Sequence, residues 1–232
     1  MSLEVIPIEG IAEVRPGDDL AGLIAVSAGE LADGDVVVVT QKVVSKAEGR
    51  LVPYDADDPE AKRRLIESES VRVLRRRGGL AIVETRHGFV CANAGVDLSN
   101  VDDGWAALLP EDPDRSARRL RDGIRARTGV EVAVIVSDTF GRAWRRGLVD
   151  VAIGCAGIGP VLDLRGTDDA HGRELAVTQV AVADELAAAA ELVMGKSSGI
   201  PAAVVRGVDS SWLRPGDVRA ELVRHPSEDM FR

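Results

Sequence analysis

A chain of 232 residues that is 45% apolar and 29% charged can bury a real core, which excludes a disordered tail. Its 38 acidic and 29 basic side chains leave a net charge of −9 and its aromatics amount to 3%, so neither phosphate-backbone recognition nor base stacking is expected and nucleic acid is set aside as a partner. No apolar run approaches the roughly 20 residues of a membrane span, and Met1-Ser2-Leu3-Glu4 does not open like a signal peptide, so the expectation is a soluble, acidic, cytoplasmic protein without a membrane partner.

Taken in order, Leu3 to Ile8 alternates weakly and reads as a short strand. Asp33-Gly34-Asp35 turns the chain into Val36-Val37-Val38-Val39, a β-branched run suited to a buried strand. Asp58-Pro59 predicts a helix start, with acidic residues at its entry and Arg75, Arg76 and Arg77 at its exit, an order that complements the helix dipole before Gly78-Gly79 stops it. Leu80 to Glu84 and Gly88 to Cys91 read as a hairpin. Asp112 caps a second helix that Pro113 opens and Gly129 closes. Glu131 to Val136, Val149 to Cys155 and Val161 to Leu164 follow as strands, then an alanine-rich helix over roughly Val177 to Met194 and a last strand at Pro201 to Val205. So many small side chains in that helix suit close packing against a sheet or against a second subunit. Strands outnumber helices in a mixed order, which predicts an α+β (mixed α/β) fold rather than repeating βαβ units. A boundary between two lobes is expected near residues 101–112, where Asp, Gly and Pro cluster. Cys91 and Cys155 are too few for a disulfide framework and read as buried thiols.

The common catalytic motifs are missing. Gly154, Gly157 and Gly159 have the wrong spacing for a dinucleotide fingerprint. Gly195-Lys196-Ser197 is half of a phosphate-binding P-loop, but Ala190 stands where glycine is required and the segment follows a helix instead of opening one. Three histidines do not make a zinc site. Three polar segments behind strands remain. Residues 40–50 hold Gln41 and Lys46, which either meet a phosphate or decorate a solvated helical turn. Residues 93–100 hold Asp97 and Asn100, which either ligate a hard cation and bond a base or sugar, or cap a turn. Residues 137–147 place Asp138 and Thr139, a hard oxygen pair suited to Mg²⁺ or Mn²⁺, beside Arg142, Arg145 and Arg146, which either neutralise an anionic substrate or pair with the excess acid on the surface. Together they supply the minimum for positioning a nucleoside triphosphate without a P-loop.

V-V-S-K-A-E-G-R at 43–50, N-A-G-V-D-L-S-N at 93–100 and S-D-T-F-G-R-A-W-R-R-G at 137–147 resemble the coenzyme F420-0:L-glutamate ligases. The resemblance continues through G-R-E-L-A-V-T at 172–178, V-A-D-E-L-A-A-A-A-E-L-V at 182–193 and A-V-V-R-G at 203–207, so it spans nearly the whole chain. It implies a two-lobed fold that forms an intertwined homodimer, and a reaction in which GTP activates a carboxylate of coenzyme F420-0 as an acyl phosphate that L-glutamate then displaces, with further γ-linked glutamates added later. Asp97, Asp138 and Thr139 match the metal ligands for Mg²⁺ or Mn²⁺, with a monovalent cation as a further candidate. Ile11, Ala12, Glu13, Val14, Gln41, Lys46 and Asn100 match the GTP contacts, joined by Gly195 and Lys196. Lys46, Asp138 and Arg142 are the expected catalytic residues.

Two departures stand out. The resemblance implies an acidic metal contact, in archaeal members, in the loop after the long helix where this chain has Lys196, and it implies a following nitroreductase-like domain in actinobacterial two-part proteins that has no counterpart in this sequence. Other readings of the same residues are a metal-dependent amide ligase for a different carboxylate, or a nucleotide-binding and dimerisation module of a split enzyme.

Overall fold

The computed structural model describes residues 2–230. Its largest sheet has five strands: β1 (Glu4–Pro7), β2 (Val36–Thr40), β8 (Ala133–Arg142), β9 (Arg145–Ala156) and β12 (Ala202–Arg206), in the order β1-β12-β2-β8-β9. Only the central β2–β8 pair is parallel, with Thr40 opposite Ser137. The other neighbours run antiparallel. Val36, Val37, Val38 and Val39 are all fully buried, which explains why β2 is a continuous apolar run with no alternation. Each such valine contributes about 1.5–3 kcal/mol by leaving water. Three helices pack on this sheet or on one another: α1 (Leu20–Ser27), α4 (Pro113–Thr128) and α5 (Val182–Met194). The ends of α4 follow the sequence signals closely. Asp112 accepts from the Arg115 N–H, Pro113 is the first helical residue, and Gly129 closes the helix in a left-handed conformation at φ +74°.

Between β2 and α4 the chain leaves the sheet. The short helix α2 (Gln41–Ala47) follows directly on β2, so residues 40–50 begin as helix instead of loop. Then β3 (Leu51–Pro53) pairs with β7 (Trp105–Ala107), and β4 (Ser70–Arg77), β5 (Leu80–Thr85) and β6 (Val90–Ala92) form an antiparallel sheet beside α3 (Ala61–Ser68). A second apolar core joins these pieces, built on Ile66, Ala81, Val83, Ala94, Val96, Ala106 and Leu108. The remaining strands and α-helix among the described residues are a two-strand ladder, β10 (Leu162–Asp163) with β11 (Gln179–Val180), and the four-residue α6 (Val218–Glu221).

The α+β expectation and the β5–β6 hairpin hold. Four expectations are corrected. The helix predicted from Asp58 to Arg77 ends at Ser68, and its arginine-rich second half is the edge strand β4, whose arginines project from an exposed ribbon and whose Gly78-Gly79 is the turn into β5. The alanine-rich helix begins at Val182, because Gln179–Val180 is held in the ladder with β10. Its Ala187 and Ala190 are fully buried against the sheet of the same chain, so that alanine face is not available to a second subunit. Finally, the strand predicted to stop at Val136 runs on to Arg142, and Ser137-Asp138-Thr139 lies within β8, not in a loop beyond it.

Candidate active site

Where β2 and β8 end side by side, a cavity of about 760 Å³ opens. Its wall draws on the segment 11–14, on α2, on residues 97–100, on the β8–β9 pair and on residues 195–201 after α5. Ile11, Ala12, Glu13, Val14, Gln41, Lys46, Asp97, Asn100, Asp138, Thr139, Gly195 and Lys196 all line it. Segments nearly 190 positions apart in sequence therefore meet in one place. Arg142 is the exception. It lies at the exposed tip of the β8–β9 hairpin, where its Nη2 donates to the Arg146 carbonyl. Four residues of extended strand carry it about 13 Å beyond Asp138. Its spacing in sequence suggested a neighbour of Asp138, but strand geometry separates them.

Three lysines of the cavity each face a carboxylate. Lys42 Nζ lies 2.8 Å from Asp97 Oδ2 and also donates to Ser99 Oγ at 2.9 Å. Lys46, buried through most of its length, pairs with Glu13, whose side chain is exposed. Lys196 Nζ donates to Thr139 Oγ1 and lies 3.3 Å from Asp150 Oδ1 and 3.8 Å from Glu191 Oε1. Asp138 alone among the aspartates of the wall has no lysine at contact distance among the described residues. Burial, reinforced by the negative charges of Asp150 and Asp97, pushes its carboxyl up to about 7, against the pull of the Thr139 N–H and of Lys196. Asp97 shifts the other way: burial raises it, but the Lys42 ammonium and the Ser99 amide and hydroxyl outweigh that and hold it below the ordinary carboxylate range.

The loop that carries Asp97 is shaped by backbone conformation. Asn93, Ala94 and Asn100 all adopt positive φ, at +52°, +56° and +52°. Asparagine tolerates this region, whereas for Ala94 it costs of order 1 kcal/mol and is held by the packing around it. Gly95, at φ +69°, sits so close to Leu109 that a Cβ there would come within 2.6 Å of it. Asn93 Oδ1 accepts from the Ala81 N–H, tying the loop to β5. The result holds Asp97, Ser99 and Asn100 on the cavity rim.

Asp150 was not singled out in the sequence, and it is the most buried carboxylate of the wall, 2% exposed. It accepts from Ser137 Oγ at 3.0 Å and from Thr139 Oγ1 at 2.6 Å across the β8–β9 ladder. The signal for it is its isolation: one acidic residue inside the otherwise uncharged run from Gly147 to Ala156. Lys42 and Ser99 were also passed over, because four residues of helix separate Lys42 from Lys46 and either can be read as a solvated charge. The oxygen donors Asp97, Asp138 and Thr139 are of the hard type that Mg²⁺ or Mn²⁺ takes. No set of three His, Cys, Asp or Glu side chains forms a closed ligand cluster among the described residues. Both cysteines are buried and unbridged, and burial pushes the Cys91 thiol up to about 12, so neither is poised as a nucleophile.

A model of the F420-0:gamma-glutamyl ligase family matches residues 10–207. The chain belongs to this family. Relatives named coenzyme F420:L-glutamate ligase support the assignment over full lengths. That of Methanothermobacter thermautotrophicus is 45% identical over 251 aligned positions covering 100% of both chains. That of Methanopyrus kandleri is 47% identical, covering 100% of this chain and 98% of its own, and that of Archaeoglobus fulgidus is 43% identical, covering 100% and 97%. The family match takes in every segment that lines the cavity. Among the described residues no helix is long and apolar enough to cross a membrane.

Proposed function

We propose that the chain joins L-glutamate to coenzyme F420-0 at the expense of GTP, with a divalent cation, Mg²⁺ or Mn²⁺, held by Asp97, Asp138 and Thr139. The observation that carries this is the convergence of three lysines with those oxygen donors in one cavity. When bound, the cation would offset phosphate charge and polarise the transferring phosphoryl group. Lys46 supplies a fixed positive charge for the phosphates, and its burial keeps its stem from sampling other directions. Gln41 is buried in the cavity wall, and its Oε1 accepts from Ser45 Oγ at 2.9 Å, which fixes its side chain. In the reaction, a carboxylate oxygen of coenzyme F420-0 attacks the γ-phosphorus and GDP leaves. The glutamate amine then attacks the acyl carbon, sheds a proton, and phosphate leaves with its bonding pair. Further rounds use the γ-carboxylate of the glutamate just added.

Mass spectrometry of coenzyme F420-0 incubated with GTP, glutamate and Mn²⁺ tests the reaction: new masses spaced by glutamate residues are expected, and unchanged substrate in all three would sink it. Calorimetry of GTP in EDTA and then in Mn²⁺ tests the metal. Cation and nucleotide are expected to raise one another's affinity by a common factor worth about 1–3 kcal/mol. Equal GTP affinity in both buffers would return the aspartates to a structural role. The homodimer is part of this proposal, and light scattering that finds a single-chain mass at micromolar concentration would remove it.

A further inference from the structure

We propose that Lys196 is a tethered stand-in for the divalent cation, seated on Thr139 and Asp150, and that an ion can reach Thr139 only when this ammonium moves off. The inference rests on the metal reading above and concerns what that reading does not contain, a competition within the chain.

Thr139 carries one hydroxyl proton and donates it to Asp150 Oδ1 at 2.6 Å. Only lone pairs of Oγ1 are left for a cation, and the Lys196 ammonium already donates to that oxygen. A divalent ion coordinated by Thr139 needs the same lone pairs, and two cations around one hydroxyl repel. The lysine is anchored by more than one contact: Asp150 Oδ1 at 3.3 Å beneath it and Glu191 Oε1 at 3.8 Å beside it. Asp150 is buried and accepts from Ser137 Oγ, so its carboxylate holds its place whether or not Lys196 is there.

The lysine is also built to leave. More than half of its side chain is exposed, on a four-carbon stem. It sits one residue after Gly195, whose φ of +61° and ψ of 173° are open essentially to glycine alone, and three before Gly199 at φ +71°. Gly195, Ser197 and Gly199 line the same cavity, so an ammonium displaced from Thr139 remains beside the space proposed for the phosphates. In this exchange each charge keeps a partner of opposite sign: the ion takes the carboxylates and the lysine takes the anion that arrives with it.

The competing view is a surface ion pair of no consequence, which predicts no effect on metal binding. Mn²⁺ titrated by calorimetry into the nucleotide-free wild-type, Lys196→Met and Lys196→Arg chains separates the two. Lys196→Met is expected to bind Mn²⁺ about tenfold more tightly than wild type, a change of roughly 1.4 kcal/mol. Lys196→Arg keeps the charge and is expected to stay near wild type. Equal or weaker binding in Lys196→Met, or an equal gain in Lys196→Arg, overturns the inference and leaves the metal reading standing. Absence of Mn²⁺ binding in all three chains, with GTP as well as without, overturns both. Should Lys196→Met not fold, acetylation of Lys196 in the wild-type chain, followed by mass spectrometry, serves instead. Labelling faster in Mn²⁺ than in EDTA supports displacement, and unchanged labelling refutes it.

Discussion

The strands β2 and β4 both carry valines, four of five residues in β2 and two of eight in the arginine-rich β4, yet they stand at opposite extremes of exposure. β2 lies inside a five-stranded sheet with its four valines out of water, and the residues at its end and across from it open into the cavity. β4 is the edge of a three-stranded sheet, with Val71 and most of its arginines exposed and with its pairing interrupted twice, between Ser70 and Arg72 and between Val73 and Arg75. Burial on both faces is what makes a valine run legible. At a bulged, solvated edge the alternation is broken, and a row of arginines there imitates the charged face of a helix. The buried sheet lines the cavity at its β2 and β8 ends, and the exposed one ties down the loop of Asp97 through Asn93.

Substitutions can break that contrast. Asp138→Asn, at the functional end of the large sheet, is expected to lower ligation by about 10²–10³-fold or more while leaving the fold intact. Wild-type turnover in the folded variant would end the assignment. The same change has an opposite consequence for stability. Asp138 has a folded-state value raised to about 7, so the folded chain holds this proton more tightly than the unfolded chain. The resulting penalty grows as pH rises from the ordinary carboxylate range through about 7 and is then constant. Metal-free Asp138→Asn is accordingly expected to be more stable than wild type at pH 8, by roughly 1–2 kcal/mol after discounting for its partial exposure, with the gain fading towards pH 4. Denaturant melts at the two pH values read this, and a loss at pH 8 would contradict it.

Paired truncations sharpen the comparison without touching the site. Val38→Ala, deep in the large sheet, is expected to cost about 2–3 kcal/mol, and Val73→Ala at the edge of the small one less than about 1 kcal/mol. Similar costs at the two positions would show that the small sheet is better packed than its exposure indicates. The smallest effect concerns the join between the two regions. His87, in the β5–β6 turn, is buried against Phe89 and bonds through Nε2 to the carbonyl of Pro110 at 2.9 Å, while its Nδ1 has no partner among the described residues. Burial lowers its affinity for a proton. Below about pH 6.5 the unfolded chain takes up a proton that the folded chain resists, so stability falls with pH in that window. His87→Gln is expected to flatten the slope by a fraction of a kcal/mol per pH unit, and an unchanged slope in denaturant melts would discharge His87 from that role.

The elements legible in the sequence were those whose signals are local. Asp112, Pro113 and Gly129 bound a helix through their own backbone chemistry, and Val36–Val39 announced a buried strand through side-chain shape alone. The same locality explains why the sequence predicts the long helix from about Val177: the ladder that holds Gln179–Val180 comes from Leu162–Asp163, out of reach of any window on the helix. For the site, three short strings sufficed to name Lys46, Asp97, Asp138 and Thr139, since their residue types already declare charge and hard oxygen donors.

Local sequence therefore yields an inventory: the buried valine strand, the caps of α4, and the charged and hydroxyl side chains found on the cavity wall. Tertiary structure alone decided their partners. Asp150 lies on the cavity wall because the β8–β9 register sets it opposite Thr139, and Arg142 lies off that wall because the same hairpin carries it outwards to the tip. Lys196 met Thr139 from 57 positions away only through the packing of α5 on the sheet. Electrostatics acts through distance in space, so whether Asp138 faces an ammonium or other carboxylates, and with it the sign of its shift, is a property that no stretch of sequence contains.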